Sequence, residues 1–188
     1  MKDTIAVIGL GYVGLPLVIE FGKKFKTIGY DIDKKRINDL ISKKDITGEL
    51  SSYDLGENSN IMYTSNLEEI KCANIYIIAV PTPIDKNNKP DLNILLNATK
   101  DVGNVIDIND IVIFESTVYP GCTEEDCVPI LEKGRNLKYN KDFYCGYSPE
   151  RINPGDINNT LTNIKKITSG SNIRVTNYVD NLYKKIIK

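Results

Sequence analysis

The sequence predicts an α/β protein built on a doubly wound, mainly parallel sheet, a Rossmann-type dinucleotide-binding domain. Three observations predict it. Strand-like apolar runs alternate with helical periods along the 188 residues, with short connections between them. The runs Ile75 to Val80 and Ile111 to Phe114 are apolar on both faces, as suits strands buried between two helical layers. The first strand leads directly into Gly9-x-Gly11-x-x-Gly14, the turn that lets a pyrophosphate approach the backbone at the start of a helix.

Each element can be justified in order. Residues 4–8 form the first strand, and residues 11–24 a helix with Pro16 near its first turn, where a missing N–H costs little. Residues 27–31 form a second strand ending in Asp31, twenty residues beyond Gly11, the spacing of a carboxylate that holds an adenosine ribose diol. Asp33 can cap a helix through about Lys43. The polar stretch Thr47 to Asn60 reads as a surface excursion, followed by a short strand at Ile61 to Tyr63 and a short helix from Leu67 to Lys71. After the strand at 75–80, Asp91 opens a helix to about Ile106. The strand at 111–114 comes next, and Thr123 can cap a helix to about Lys133. Phe143 to Tyr147 is a further strand, and a last strand near Ile167 and Thr168 precedes a helix from Ser171 to Lys188. The whole is expected to be a single domain over 1–188.

Composition excludes several classes. A net charge of −1 gives no basic field for nucleic acid. No apolar run approaches the roughly 18 residues of a membrane span. The start, Met-Lys-Asp and then a strand, does not read as a secretory signal, so a cytoplasmic protein with reduced cysteines is expected. The chain has no histidine, which excludes a His-based triad within it and leaves no metal site to expect. Cys72 and Cys145 read as small core residues, and Cys122 sits in a helix start with no basic neighbour to lower its pKa.

Ligands in open parallel sheets bind beyond the carboxyl ends of the strands. Three loops expected there carry stiff prolines with isolated hydroxyls and carboxylates: Val80 to Pro83, Glu115 to Gly121, and Ser148 to Asp156. They should line one crevice with the glycine turn.

Taken together, Gly-Leu-Gly-Tyr-Val-Gly-Leu-Pro, Val-Pro-Thr-Pro, Glu-Ser-Thr-Val-Tyr-Pro-Gly-Cys-Thr-Glu and Ser-Pro-Glu-Arg-Ile-Asn-Pro-Gly-Asp resemble the N-terminal domain of the UDP-glucose/GDP-mannose dehydrogenase family over essentially the whole chain. That resemblance implies oxidation of a nucleotide-sugar C6 alcohol to a carboxylate with two NAD, in the service of surface polysaccharide synthesis. The Ser-Pro-Glu-Arg segment resembles the branch acting on UDP-N-acetylhexosamines. UDP-glucose enzymes tend to carry a second glutamate where this chain has Pro154. By position, Gly9, Leu10, Gly11, Tyr12, Val13 and Gly14 would hold the pyrophosphate, Asp31 the ribose, and Arg36 the adenosine end. Val80, Pro81, Thr82, Ser116 and Thr117 would flank the nicotinamide. Thr117 resembles the hydroxyl that positions a catalytic water and Glu150 an acid–base carboxylate, while Glu150, Arg151 and Ile152 would meet the UDP-sugar. Asp31 favours NAD over NADP, since a carboxylate repels a 2′-phosphate. The run Lys34, Lys35, Arg36 pulls the other way but reads as a solvated helix face.

The family's thiol nucleophile, which traps the aldehyde as a thiohemiacetal, and its lysine and asparagine on a central helix are not recognisable here. The expectation is therefore the NAD-binding portion of the enzyme, inactive alone, without the central helix and C-terminal UDP-binding domain; full-length relatives are expected to be homo-oligomers. Two other readings stay open. One is a Rossmann dehydrogenase of hydroxyacid type, and the other a non-catalytic nucleotide sensor or a methyltransferase-like module.

Overall fold

A computed structural model of the chain describes residues 3–48, 50–52, 54–56, 58–151 and 161–187. Among these residues seven strands make one sheet: β1 (Thr4–Ile8), β2 (Lys26–Tyr30), β3 (Ile61–Thr64), β4 (Ile75–Ile78), β5 (Ile111–Phe114), β6 (Tyr144–Tyr147) and β7 (Ser169–Gly170). Their order is β3-β2-β1-β4-β5-β6-β7. Every pairing is parallel except that of β6 with β7. The chain winds outward from β1 in one direction and then, from β4, in the other. The crevice above the carboxyl ends of β1 and β4 is therefore flanked by loops that diverge, which is where such sheets bind nucleotides.

Among the described residues five α-helices cover the two faces: α1 (Gly14–Gly22), α2 (Lys34–Ile41), α3 (Asn93–Gly103), α4 (Val128–Arg135) and α5 (Ile173–Tyr183). Side chains alternate across each strand, so one apolar run feeds two cores. Ile5, Val7, Ile77 and Ile113 pack with Leu15 and Phe21 of α1, Ile37 and Leu40 of α2, and Val179 and Leu182 of α5. Ala6, Ile8, Tyr76, Ile78 and Phe114 pack on the opposite face with Leu95 and Val102 of α3 and Leu131 of α4. A fully buried aliphatic side chain of this size contributes about 1.5–3 kcal/mol, so these two layers are the main source of stability.

The local signals act largely as the sequence suggests, with some shifts. Asp33 caps α2 by accepting from the Lys35 N–H at 2.8 Å, and Asp91 accepts from the Asn93 N–H at 3.0 Å to start α3. α1 begins at Gly14 rather than at residue 11, because residues 11–13 form the turn that leads into it. The segment Leu67–Ile70 is a 3₁₀ turn capped by Asn66. Thr123 does not cap a helix; it opens a π-helical stretch, Thr123–Cys127, in which the Val128 N–H reaches back to the Thr123 carbonyl. The wider turn accommodates Pro129, which has no N–H to give and would crowd the carbonyl four residues back. The last strand lies at Ser169–Gly170, two residues beyond the expected position, and Asn172 caps the final helix through the Val175 N–H at 3.0 Å. Cys72 is not a core residue: it is exposed after the 3₁₀ turn, while Cys122, Cys127 and Cys145 are buried. Among the described residues no helix is long and apolar enough to cross a membrane.

Candidate functional site

The glycine turn is built by contact. Gly9 has φ +90°, and a Cβ there would stand 2.8 Å from Val80 Cγ1. At Gly14 a Cβ would sit 1.8 Å from the Gly9 carbonyl oxygen, so only glycine lets the helix start lie against the turn. Gly11 is different, since a Cβ there would meet nothing within 4 Å. No contact among the described residues requires a glycine there. The N-cap residue of α1, Val13, offers no side-chain cap, and no acidic residue occupies the first turn. The Leu15 N–H donates to the Gly11 carbonyl at 3.1 Å and Pro16 has no N–H, so what this helix start offers an anion is the positive end of its dipole and the amides of the turn before it.

Asp31 follows β2 and is held on both oxygens. Oδ2 accepts from the Leu10 N–H at 2.9 Å and Oδ1 from the Asp33 N–H at 2.9 Å. Two amides therefore fix the carboxylate at the rim of a cleft of about 460 Å³ that runs between Leu10, Ile32, Arg36, Ile46, Val80 and Ile94. Ile32, Ile46 and Ile94 are 75%, 69% and 43% exposed, so three large aliphatic side chains border an apolar slot that none of the described residues covers. Sequence reading missed all three. The one available signal was an isoleucine between two aspartates at a strand end, Asp31-Ile32-Asp33.

Arg36 corrects an expectation. It is not part of a solvated charge run but is 5% exposed. Its Nε donates to the Leu10 carbonyl at 2.8 Å, and Nη1 lies 2.9 Å from Asp45 Oδ1. Burial pushes the Asp45 carboxyl up, but hydrogen bonds from Thr47, Arg36 and Leu50 outweigh it and hold the group below its usual range. Arg36 Nη2 is buried and has no hydrogen-bond partner among the described residues. An unsatisfied buried donor bordering an open cleft fits a polar group arriving with a ligand.

A second cleft, of about 490 Å³, continues from the first and shares Gly11, Ala79, Val80 and Pro81 with it. Tyr12, Val13, Thr82, Ser116, Thr117 and Glu150 also line it. The loops there extend the ladder past the strand ends: Ala79 N–H donates to Ile8 at 2.8 Å, Glu115 N–H to Ile78 at 2.9 Å, and Glu150 N–H to Glu115 at 3.1 Å. Hydroxyls lock adjacent loops together, Ser116 Oγ to the Val80 carbonyl at 2.6 Å and Thr82 Oγ1 to the Thr117 carbonyl at 2.7 Å. Thr117 and Glu150 thus border the same cleft. Arg151 does not border it; its guanidinium donates to the Lys165 carbonyl at 3.2 Å. Ile152 and Pro154 lie outside the described residues.

Behind the cleft stands a buried charge cluster. Glu115 is fully buried, with Lys166 Nζ 2.5 Å from one of its oxygens and the Tyr183 hydroxyl donating to the other. Burial pushes the Glu115 carboxyl up to about 7, against the pull of Lys166 and Tyr183. Lys166 and Tyr183 stand 51 and 68 positions away from Glu115, so no local pattern could have revealed them. The thiols offer little. Burial, with Cys127 and Asp126 nearby, raises Cys122 to about 12. Cys72 belongs to the turn before β4, at the opposite edge of the sheet from the clefts. Among the described residues no group of three or more metal-ligating side chains stands together.

A bare glycine turn under a helix start, a doubly tethered carboxylate twenty residues on, and one trough running across the switch point define a dinucleotide-binding domain of dehydrogenase type. Comparison with known proteins makes this specific. Residues 3–187 match the model of the UDP-glucose/GDP-mannose dehydrogenase family, NAD binding domain, and the chain belongs to that family. Its cofactor is accordingly NAD, and the hydroxyacid and methyltransferase readings fall away. The chain is 52% identical over 188 residues to a UDP-N-acetyl-D-glucosamine 6-dehydrogenase of Pseudomonas aeruginosa, covering 100% of this chain and 44% of that one. It is 54% identical over 183 residues to the enzyme of the same name from Salmonella typhi, covering 97% and 43%. Among solved structures it superposes on a UDP-D-ManNAc dehydrogenase from Pyrococcus horikoshii with a TM-score of 0.90 at 35% identity, covering 98% of this chain and 45% of the other. The chain thus spans less than half the length of each of these three relatives.

Proposed function

We propose that this chain is the NAD-binding domain of a nucleotide-sugar 6-dehydrogenase that oxidises the C6 alcohol of a UDP-N-acetylhexosamine to a uronic acid. The observation that carries the reading is the continuous trough from Asp31 to Glu150, with Gly11 at its middle. The identity of 52% and 54% to two UDP-N-acetyl-D-glucosamine 6-dehydrogenases supports the substrate class. Bound NAD supplies the hydride acceptor. The protein's own residues divide the remaining work. Gly9 to Gly14 and the start of α1 receive the pyrophosphate, Asp31 accepts from the ribose diol, and Arg36 with the three isoleucines encloses the adenosine end. Val80, Pro81, Thr82 and Ser116 shape the nicotinamide side. Thr117 orients a water beside it, and Glu150 takes up and returns protons at its carboxylate. The product is a uronic acid for surface polysaccharide, made in the cytoplasm.

Carrying an alcohol through an aldehyde to an acid requires a nucleophile to trap the aldehyde. Cys122, Cys127 and Cys145 are buried and burial raises their thiols, that of Cys122 to about 12, and Cys72 lies at the wrong edge. The nucleophile therefore comes from outside these 188 residues, and this chain by itself binds NAD without turning it over. Calorimetry of the chain with NAD, NADP and UDP-N-acetylglucosamine, paired with absorbance at the NADH band, tests this. NAD should bind, NADP more weakly, the UDP-sugar little, and no NADH should form. Unaided reduction of NAD by a UDP-sugar, or no NAD binding, would contradict the proposal.

A further inference from the structure

Glu150 is held on both of its oxygens. Oε1 accepts from the Arg151 N–H at 2.5 Å, and Oε2 lies 3.4 Å from Lys166 Nζ. That ammonium is only 2% exposed, sits 2.5 Å from Glu115 Oε2, and lies within 3.5 Å of the Pro149 carbonyl. From α5 the Tyr183 hydroxyl braces the far oxygen of Glu115, and the Tyr183 ring lies 5.8 Å from the ammonium. The other charges of α5 on this side, Asp180 and Lys184, pair with each other at 2.6 Å. One buried cation therefore serves two carboxylates on residues that border the same cleft: Glu115, which is fully buried, and Glu150, beside Thr117.

From this geometry we infer that Lys166 is a positioning residue for Glu150, fixing the direction of its carboxylate while Glu115 and Tyr183 hold the lysine in place. The inference deepens the reading of Glu150 as the acid–base group and rests on it. A pair kept for stability alone would need only Glu115 and Lys166, and such buried pairs stabilise little relative to well-packed apolar residues. The reach of the same ammonium to Glu150 is what a stability role leaves unexplained. An opposite charge at this distance favours the ionised form of a carboxyl group. Removing Lys166 takes away both that influence and the contact that directs Oε2.

Carboxyl-carbon NMR titration of Glu150 in this 188-residue chain tests the inference without any cofactor. Lys166→Met alone would strand Glu115, so the comparison is Glu115→Gln against Glu115→Gln/Lys166→Met. In the single variant the introduced amide can turn its oxygen to the lysine and its NH₂ to the Tyr183 hydroxyl. The expected result is a Glu150 midpoint about one pH unit higher in the double variant than in the single. Equal midpoints would overturn the inference. Should the double variant fail to fold by circular dichroism, the unaltered chain decides: the Lys166 Nζ resonance must move through the pH range in which Glu150 titrates, and a flat response overturns the inference. Neither readout depends on NAD, so a failure here is distinct from a failure of the NAD-binding reading.

Discussion

At the scale of single residues, the site rests on backbone amides that aim side chains. Asp31 is directed by two N–H groups, so its carboxylate is fixed before any ligand arrives, as the proposed contact with a ribose diol requires. Charge-assisted hydrogen bonds contribute about 1.5–3 kcal/mol, which corresponds to roughly ten- to hundredfold in affinity. Asp31→Ala should therefore weaken NAD binding by about that factor. It should also narrow the preference for NAD over NADP, because Arg36 remains in the cleft wall. Calorimetry with both nucleotides checks it; unchanged NAD affinity would remove Asp31 from the site. Arg36 shows where sequence reading fails at this scale. Three consecutive basic residues look like solvent-facing charge, and only the fold, by placing Asp45 beneath the third of them, makes it a buried structural cation.

At the scale of elements, the sheet carries the site because its strands end in loops that continue the ladder. The buried carboxyls at strand ends give this arrangement a pH signature. Burial raises Glu115 from 4.5 to about 7, and burial raises Asp110 from 3.8 to about 6 against the pull of the hydrogen bond from the Asp107 N–H. A raised folded-state value means that the native protein holds protons the unfolded chain has released. Stability should therefore fall as pH rises from about 4 through about 7 and level off above. Urea unfolding at pH 5 and pH 8 should differ by on the order of 1–3 kcal/mol, and Glu115→Gln should remove most of the part above pH 6. A stability that rises over this interval would contradict the assignment. Strands and helices were legible in the sequence because their signals are local: a two-sided apolar run for β4 and β5, an aspartate before α2. The helix after Gly121 was misjudged at its start, since Thr123 looks like a cap and only Pro129 hints at the widened turn.

At the scale of the whole molecule, the order of strands places the glycine turn, the Val80 loop and the Thr117 loop along one edge. The motifs could be read one by one in the sequence. Their meeting in a single trough could not, because it depends on pairings between residues far apart in the chain. The same holds for the three isoleucines at one end of the trough and for the Glu115, Lys166 and Tyr183 cluster behind its other end. The most direct measurement is a set of intermolecular NOEs from NAD to the methyl groups of this chain. Adenine protons should contact Ile32, Ile46 or Ile94, and nicotinamide protons should contact Val80 and the Thr117 methyl. Nicotinamide contacts at the isoleucine end, or NAD contacts confined to surfaces away from Gly11, would contradict the placement on which the proposed function stands.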